Sequence, residues 1–171
     1  GEVMAMDNDY IKELCAALRK EDLTVTIDTC GQAPWQNYKN ILPYVDTFLY
    51  DIKVIDDELH KKYMGAGNRV VLGNLVNLAK EGARIYIRIP VVREVNGSIE
   101  AMTDIINFLK ENNVNPVQVN LLPYHDTGSH KYAKLGRPYP ARDLHRPTDE
   151  ELNEFVELFT KAGYQRVKIG G

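Results

Sequence analysis

Five short runs of β-branched and aromatic residues alternate with amphipathic stripes along this chain, and that alternation constrains its fold more than any other feature. The runs are Thr24 to Ile27, Thr47 to Ile52, Arg84 to Val91, Val117 to Leu122 and Gln165 to Ile169, and they read as strands. Helical spacing joins Ile11, Leu14, Cys15 and Leu18 between Asp9 and Lys20, with Asn8 or Asp9 available as a cap. A short helix is predicted near Trp35 to Leu42. A longer one runs from Asp56 to Tyr63 on into Leu72, Leu75, Val76 and Ala79 before Gly82. Ile99, Met102, Ile106 and Leu109 form a stripe after a Ser98 cap, and Leu152, Phe155, Val156 and Phe159 another between Thr148 and Gly163. Thr148 and Glu151 have capping-box spacing, and Gly82 and Gly163 stand where a helix should end. Strands joined by connections of this length pair in parallel, and right-handed crossovers curl the sheet one way. The expected class is α/β, a (β/α) barrel in a single domain over 1–171. A closed eight-stranded barrel takes about 250 residues, so 171 can form only part of one.

Charge and cysteine content narrow the function. Twenty-one basic against 24 acidic residues leave no positive excess for a phosphate backbone, which argues against nucleic acid as a partner. No run of about 18 apolar residues is present to span a membrane. Two cysteines are too few for a disulfide framework, and a chain that is 44% hydrophobic does not need one, so a reducing, cytoplasmic setting is expected. Gly1-Glu2-Val3-Met4 is neither an initiator start nor a secretory signal, and the chain is expected to begin within a longer protein. From His125 to Pro147, about 23 residues rich in Gly, Pro, Arg and Tyr lack an apolar period and read as a long functional loop.

Chemistry in parallel sheets gathers at the carboxyl ends of the strands, where all the departing loops face one crevice. Asp28-Thr29, Asp51-Ile52-Lys53, Arg88 and Tyr124-His125 all fall there. Each has an ordinary alternative. Asp28 alone fits a turn or helix cap, and His125 alone fits a loop cap. Asp51 and Lys53 share one face of their strand and fit either a structural ion pair or a ligand clamp. Arg88, inside an apolar strand, requires an anionic partner from the protein or a ligand. Convergence of the four favours a site. Cys15 reads as core and Cys30 as loop. His60 falls on an exposed helix face, and His130 and His145 in the long loop, so no zinc spacing exists. A serine elbow and a phosphate-cradling glycine loop are both lacking.

At these residues the chain resembles the glycyl-radical-enzyme activating enzymes of the radical S-adenosylmethionine superfamily, of which pyruvate formate-lyase activating enzyme is the familiar member. The resemblance runs from Gly1-Glu2, similar to the end of the family's Gly-Gly-Glu-Pro motif, through "IDTCGQAPW", "ILPYVDTFLYDIK", "HKKYMG", "GARIYIRIPVV" and "NLLPYHDTGSHKYAKLG" to "VKIGG". It implies that Gly1 and Glu2 meet the amino group of S-adenosylmethionine, that Lys53 and Arg88 help hold its carboxylate, and that His125 contacts the adenosine half. It also implies a monovalent-cation site made by Asp28, Thr29, Asp51 and the carbonyl of Leu49. In the family a four-iron, four-sulfur cluster reduces S-adenosylmethionine, and the resulting 5'-deoxyadenosyl radical takes hydrogen from a glycine of the partner enzyme.

Three departures qualify the resemblance. The family's CxxxCxxC cluster motif is absent, and Cys15 and Cys30 cannot replace three thiolates, so no iron–sulfur ligand or catalytic residue is assigned here. Val3 stands in place of the motif's Pro, and Arg93-Glu94 in place of the usual Pro-Gly after the third strand. The expectation is a carboxyl-terminal fragment of such an enzyme, lacking the amino-terminal strands of the barrel and inactive alone. The cluster would then belong to the full-length parent only, and a pyruvate formate-lyase-like glycyl radical enzyme would be its partner. A cluster-free paralogue binding a partner or small anion is the alternative, and an aldolase using Lys53 is disfavoured by Asp51 beside it. Thr24 to Ile27 is expected to be an uncovered apolar edge prone to self-association.

Overall fold

The structure, a computed structural model, describes residues 2–125, 132, 134–136 and 143–171. Strands β1 (Thr26–Thr29), β2 (Thr47–Asp51), β3 (Ile85–Val91), β4 (Gln118–Pro123) and β5 (Val167–Ile169) form one parallel sheet in that order. The α-helices described from end to end are α1 (Asn8–Lys20), α2 (Trp35–Ile41), α3 (Asp57–Met64), α4 (Arg69–Lys80), α5 (Ile99–Glu111) and α6 (Asp149–Lys161), with short 3-10 turns at Val3–Ala5 and Leu42–Tyr44. This is the α/β, partial-barrel architecture expected from the alternation.

The two faces of the sheet differ sharply. Thr29, Tyr50, Ile87 and Val119 align across four strands and are fully buried. With Ile27, Phe48 and Ile89 they join one core that also holds Ile11, Tyr38, Leu75, Leu109 and Phe155 from the helices. Residues alternating with them, including Asp28, Leu49, Asp51, Tyr86 and Arg88, are partly or fully exposed. Parallel sheets usually have both faces covered. Here one face carries the helices and the other is an open trough, as the inner wall of part of a barrel would be.

Local chemistry accounts for the helix ends. Asp7, rather than Asn8 or Asp9, caps α1 by accepting from the Tyr10 N–H. Ser98 caps α5, and Thr148 and Glu151 form the expected capping box on α6. Gly82 and Gly163 take the left-handed conformation just past α4 and α6. The stripe expected as one long helix from Asp56 is two helices. Gly65 adopts φ +78° and ends α3, and the Asn68 side chain donates to the carbonyls of Val54 and Ile55 before α4 begins.

That break also corrects the reading of His60. The turn brings the Ala66 carbonyl within 2.6 Å of its Nδ1, and the ring is 6% exposed rather than solvent-facing. β1 starts two residues later than expected, because the Val25 N–H is taken by the Asp46 carboxylate at 2.7 Å. Asp28 and Thr29 therefore lie within the strand, not after it. Of the expected long loop, His130 and most neighbouring residues lie outside the described ones.

Candidate functional site

Register brings the charges together. Asp51 on β2 is the Cα partner of Arg88 on β3, and Asp28 sits on β1 one row below. Arg88 donates from Nε to Asp51 Oδ1 at 2.9 Å and from Nη1 to Asp28 Oδ2 at 2.8 Å, while its Nη2 meets both carboxylates. Lys53 Nζ donates to the free side of Asp51, Oδ2, at 3.2 Å. Burial alone would depress the guanidinium's affinity for its proton, but Asp51 and Asp28 outweigh it and shift it upward. Arg88 thus has the anionic partners its position requires, and both come from the protein. Four charges of zero net sign form the floor of the crevice. Lys53 spends one of three N–H donors, so two remain for a ligand.

Glu2 forms a second wall. Its Oε1 accepts from the Met4 N–H at 3.0 Å and from Thr29 Oγ1 at 2.7 Å, and its Oε2 accepts from the Cys30 N–H at 2.7 Å. Burial pushes the Glu2 carboxyl up, yet the hydrogen bonds from Cys30, Thr29 and Met4 win and hold it below the usual carboxylate range. The Cys30 thiol is pushed up, chiefly by burial and then by Glu2 beside it. A cavity of about 230 Å³ opens next to these groups, lined by Cys30, Gln32, Asp51, Lys53, His60 and Met64 among others.

Asparagines brace the loops around the crevice. Asn96 accepts from the Val92 N–H and donates to the carbonyls of Lys53 and Pro90, tying the ends of β2 and β3. Asn74 donates to the carbonyls of Gly31 and Ala33. Neither Asn96, Asn74 nor Tyr38 was singled out in the sequence. Tyr38 falls in the short helix predicted near Trp35 to Leu42, and an asparagine, whether in a loop or on α4, carries no local signal of its long-range partner.

Arg93-Glu94, where the family pattern has Pro-Gly, forms a clasp. Glu94 accepts from the His145 N–H at 2.8 Å and pairs with His145 Nδ1 at 2.6 Å, and the Arg93 N–H donates to the His145 carbonyl. The backbone N–H of His145 leads in holding the Glu94 carboxyl below its ordinary range. A carboxyl lowered in the folded state adds stability above its unfolded value, and that stability is lost as pH falls through the lowered value. Protection of the His145 amide is therefore expected to fall in Glu94→Gln at neutral pH, and in the native chain only as pH drops through the lowered carboxyl value. Equal exchange rates in the two proteins at pH 7, followed by NMR, would sink the clasp.

The structure gathers Glu2, Asp28, Thr29, Asp51, Lys53 and Arg88 at one end of the sheet. Leu49 is the Cα partner of Asp28, one row from Asp51. The Thr29 hydroxyl is turned to the buried face, 1% exposed, away from the carboxylates of Asp28 and Asp51. His125 lies two residues beyond β4, exposed, at the same end. Gly1 lies outside the described residues. Among the described residues no cluster of three His, Cys, Asp or Glu is arranged to hold a metal, and no helix is long and apolar enough to cross a membrane. Cys15, buried on α1, and Cys30 at the crevice do not fit an iron–sulfur cluster.

No protein-family model matches the chain. It is 42% identical over 173 residues to the trans-4-hydroxy-L-proline dehydratase activating enzyme of Clostridioides difficile, covering all of this chain and 56% of that protein. It is 32% identical over 161 residues to the pyruvate formate-lyase-activating enzyme of Clostridium pasteurianum, covering 94% of this chain and 66% of the relative. The chain thus spans between about half and two thirds of these curated relatives. A crystallised domain of a pyruvate-formate lyase-activating enzyme from Bacteroides vulgatus superposes with a TM-score of 0.85 at 22% identity, over 100% of this chain and 96% of that one. Residue pattern and relatives agree on a fold that the crystallised domain shares, and the chain belongs to the glycyl-radical-enzyme activating enzymes.

Proposed function

We propose that the open end of this sheet binds the methionine half of S-adenosylmethionine, within a protein that installs a glycyl radical on a partner enzyme. The observation that carries this is complementarity to a zwitterion. Lys53 keeps two N–H donors for a carboxylate, and Glu2 Oε2 keeps a lone pair for an ammonium. Asp51 and Asp28 lock Arg88 in place, so the crevice is organised before a ligand arrives. When bound and cleaved, S-adenosylmethionine supplies the radical that removes hydrogen from the partner's glycine. These residues orient its amino-acid end, and His125 stands at the side assigned to the adenosine. The partner is proposed as a glycyl radical enzyme. The greater identity to a dehydratase activating enzyme favours a dehydratase over pyruvate formate-lyase.

A monovalent cation at Asp28 and Asp51, completed by the carbonyl oxygens of Thr29 and Leu49, would share both carboxylates with Arg88. The thiolates for an iron–sulfur cluster are proposed to lie outside these residues, and the chain alone to be redox-inactive in a cytoplasmic setting. Anaerobic reconstitution with iron and sulfide tests this, since a stable cluster and cleavage of S-adenosylmethionine by these 171 residues would overturn it. Self-association through β1, whose Thr26 and Asp28 face outward while Ile27 is buried, is a further proposal. Sedimentation as a monomer at high concentration would count against it.

Calorimetric titration with S-adenosylmethionine tests the site directly. Lys53→Ala is expected to weaken binding about tenfold while leaving the fold intact, because Arg88 still neutralises Asp51. Absence of binding by the native chain, or no loss in the variant, would refute the assignment.

A further inference from the structure

Thr29 Oγ1 carries one proton, and its neighbours settle where that proton goes. Ionised Glu2 can only accept, so the 2.7 Å contact from Thr29 Oγ1 to Glu2 Oε1 uses it. The Gly31 N–H donates into the same hydroxyl oxygen at 3.0 Å. The remaining contact, 2.8 Å to Tyr38 Oη, must then have the phenol as donor. This gives a directed chain, Tyr38 to Thr29 to Glu2, starting in the core and ending at the crevice. Tyr38 is 0% exposed, stacked on Trp35 and packed against Phe48, so its hydroxyl has no freedom to swing away.

We propose that Tyr38 is a positioning residue for Glu2, acting through Thr29. A hydroxyl that receives a hydrogen bond becomes a stronger donor, because each bond polarises the next. The phenol thereby strengthens the bond from Thr29 to Oε1. That bond holds the carboxylate with Oε2 turned toward Cys30 and the crevice. The role of Glu2 toward an ammonium rests on the proposed function; the relay itself does not.

The test compares two buried tyrosines. Tyr50 is equally buried, but its Oη donates to the Val71 carbonyl at 2.6 Å and has no hydrogen bond to Thr29 or Glu2. Tyr38→Phe and Tyr50→Phe each delete one buried hydroxyl, so both lower the melting temperature. The Cys30 N–H donates to Glu2 Oε2, so its exchange protection in the whole chain, followed by NMR, reports how firmly the carboxylate is held. Tyr38→Phe is expected to speed that exchange about threefold, and Tyr50→Phe to leave it in place. Thr29→Val is expected to speed it about tenfold, after which adding Tyr38→Phe changes nothing more, while Thr29→Ser restores the native rate. A native rate in Tyr38→Phe would overturn the relay, as would an equal change in Tyr50→Phe or an undiminished one in the Thr29→Val background. S-adenosylmethionine binding is measured alongside. A loss of about threefold, from the less firmly held carboxylate, is expected in Tyr38→Phe and not in Tyr50→Phe. If the native chain binds none, the functional reading falls, and the Cys30 exchange still decides the relay.

Discussion

Replacing Arg88 with alanine is expected to lower stability by about 2–3 kcal/mol. Removing one partner of a fully enclosed ion pair costs about 3–5 kcal/mol, because the other charge is stranded without water. The Asp51 side chain is 16% exposed and is left in that condition, with only Lys53 at 3.2 Å to balance it. Asp28 is 60% exposed and rehydrates, which brings the expected loss below the enclosed limit. Lysine should not substitute, since one ammonium cannot reproduce the separate Nε and Nη1 contacts to carboxylates on two strands. Urea unfolding measures the effect. Adding Asp51→Asn to Arg88→Ala should recover about half the loss, because the stranded charge is then gone. A loss under about 0.5 kcal/mol in Arg88→Ala would mean that the cluster behaves as a solvated surface pair.

Gly31→Ala is expected to be more damaging still, costing about 3 kcal/mol or more. Gly31 follows β1 at the crevice with φ +80°, a left-handed conformation that a side chain resists. A Cβ there would fall on Tyr50 Oη and 2.6 Å from its Cζ. Tyr50 cannot retreat: it is 0% exposed, and its hydroxyl is held by the Val71 carbonyl. Tyr50→Phe should therefore rescue little, because the ring carbon remains too close, whereas in a Tyr50→Leu background, which carries its own cavity cost, adding Gly31→Ala should cost only the backbone strain. Chemical denaturation of each tyrosine form with and without Gly31→Ala separates the two contributions. Native-like stability in Gly31→Ala would show that the loop moves freely. The structure argues otherwise, since Asn74 pins the Gly31 and Ala33 carbonyls.

What the sequence revealed and what it hid divide along one physical line. Alternation within strands and stripes within helices are local, so the parallel sheet and the convergence of Asp28, Asp51 and Arg88 could be read directly. The place of Arg88 inside an apolar strand even calls for an anion. That its partners are two protein carboxylates on successive strands depends on register, which no local pattern states. The missed break at Gly65 has the same origin. The apolar period continues through it, and only Asn68 reaching back to Val54 and Ile55 shows that the chain has turned. His60 hides in the same break: its helix face reads as exposed, and the turn toward Ala66 covers it. Tyr38 as a donor is not legible either, since its partner Thr29 belongs to another element.

The sequential strand order bears on how such a chain folds. Each strand pairs only with its neighbours in sequence, so every sheet contact closes the loop of one crossover and none waits for the chain's two ends to meet. Closure entropy is then met in small instalments rather than one large one. The sheet can grow outward from β2 and β3, whose outer neighbours add one crossover at a time. A protein assembled in this way tolerates change at either edge while its middle persists. In such a scheme the Arg88 bridge to β1 and the Asn96 brace between β2 and β3 join neighbouring units already paired, tightening them after they meet.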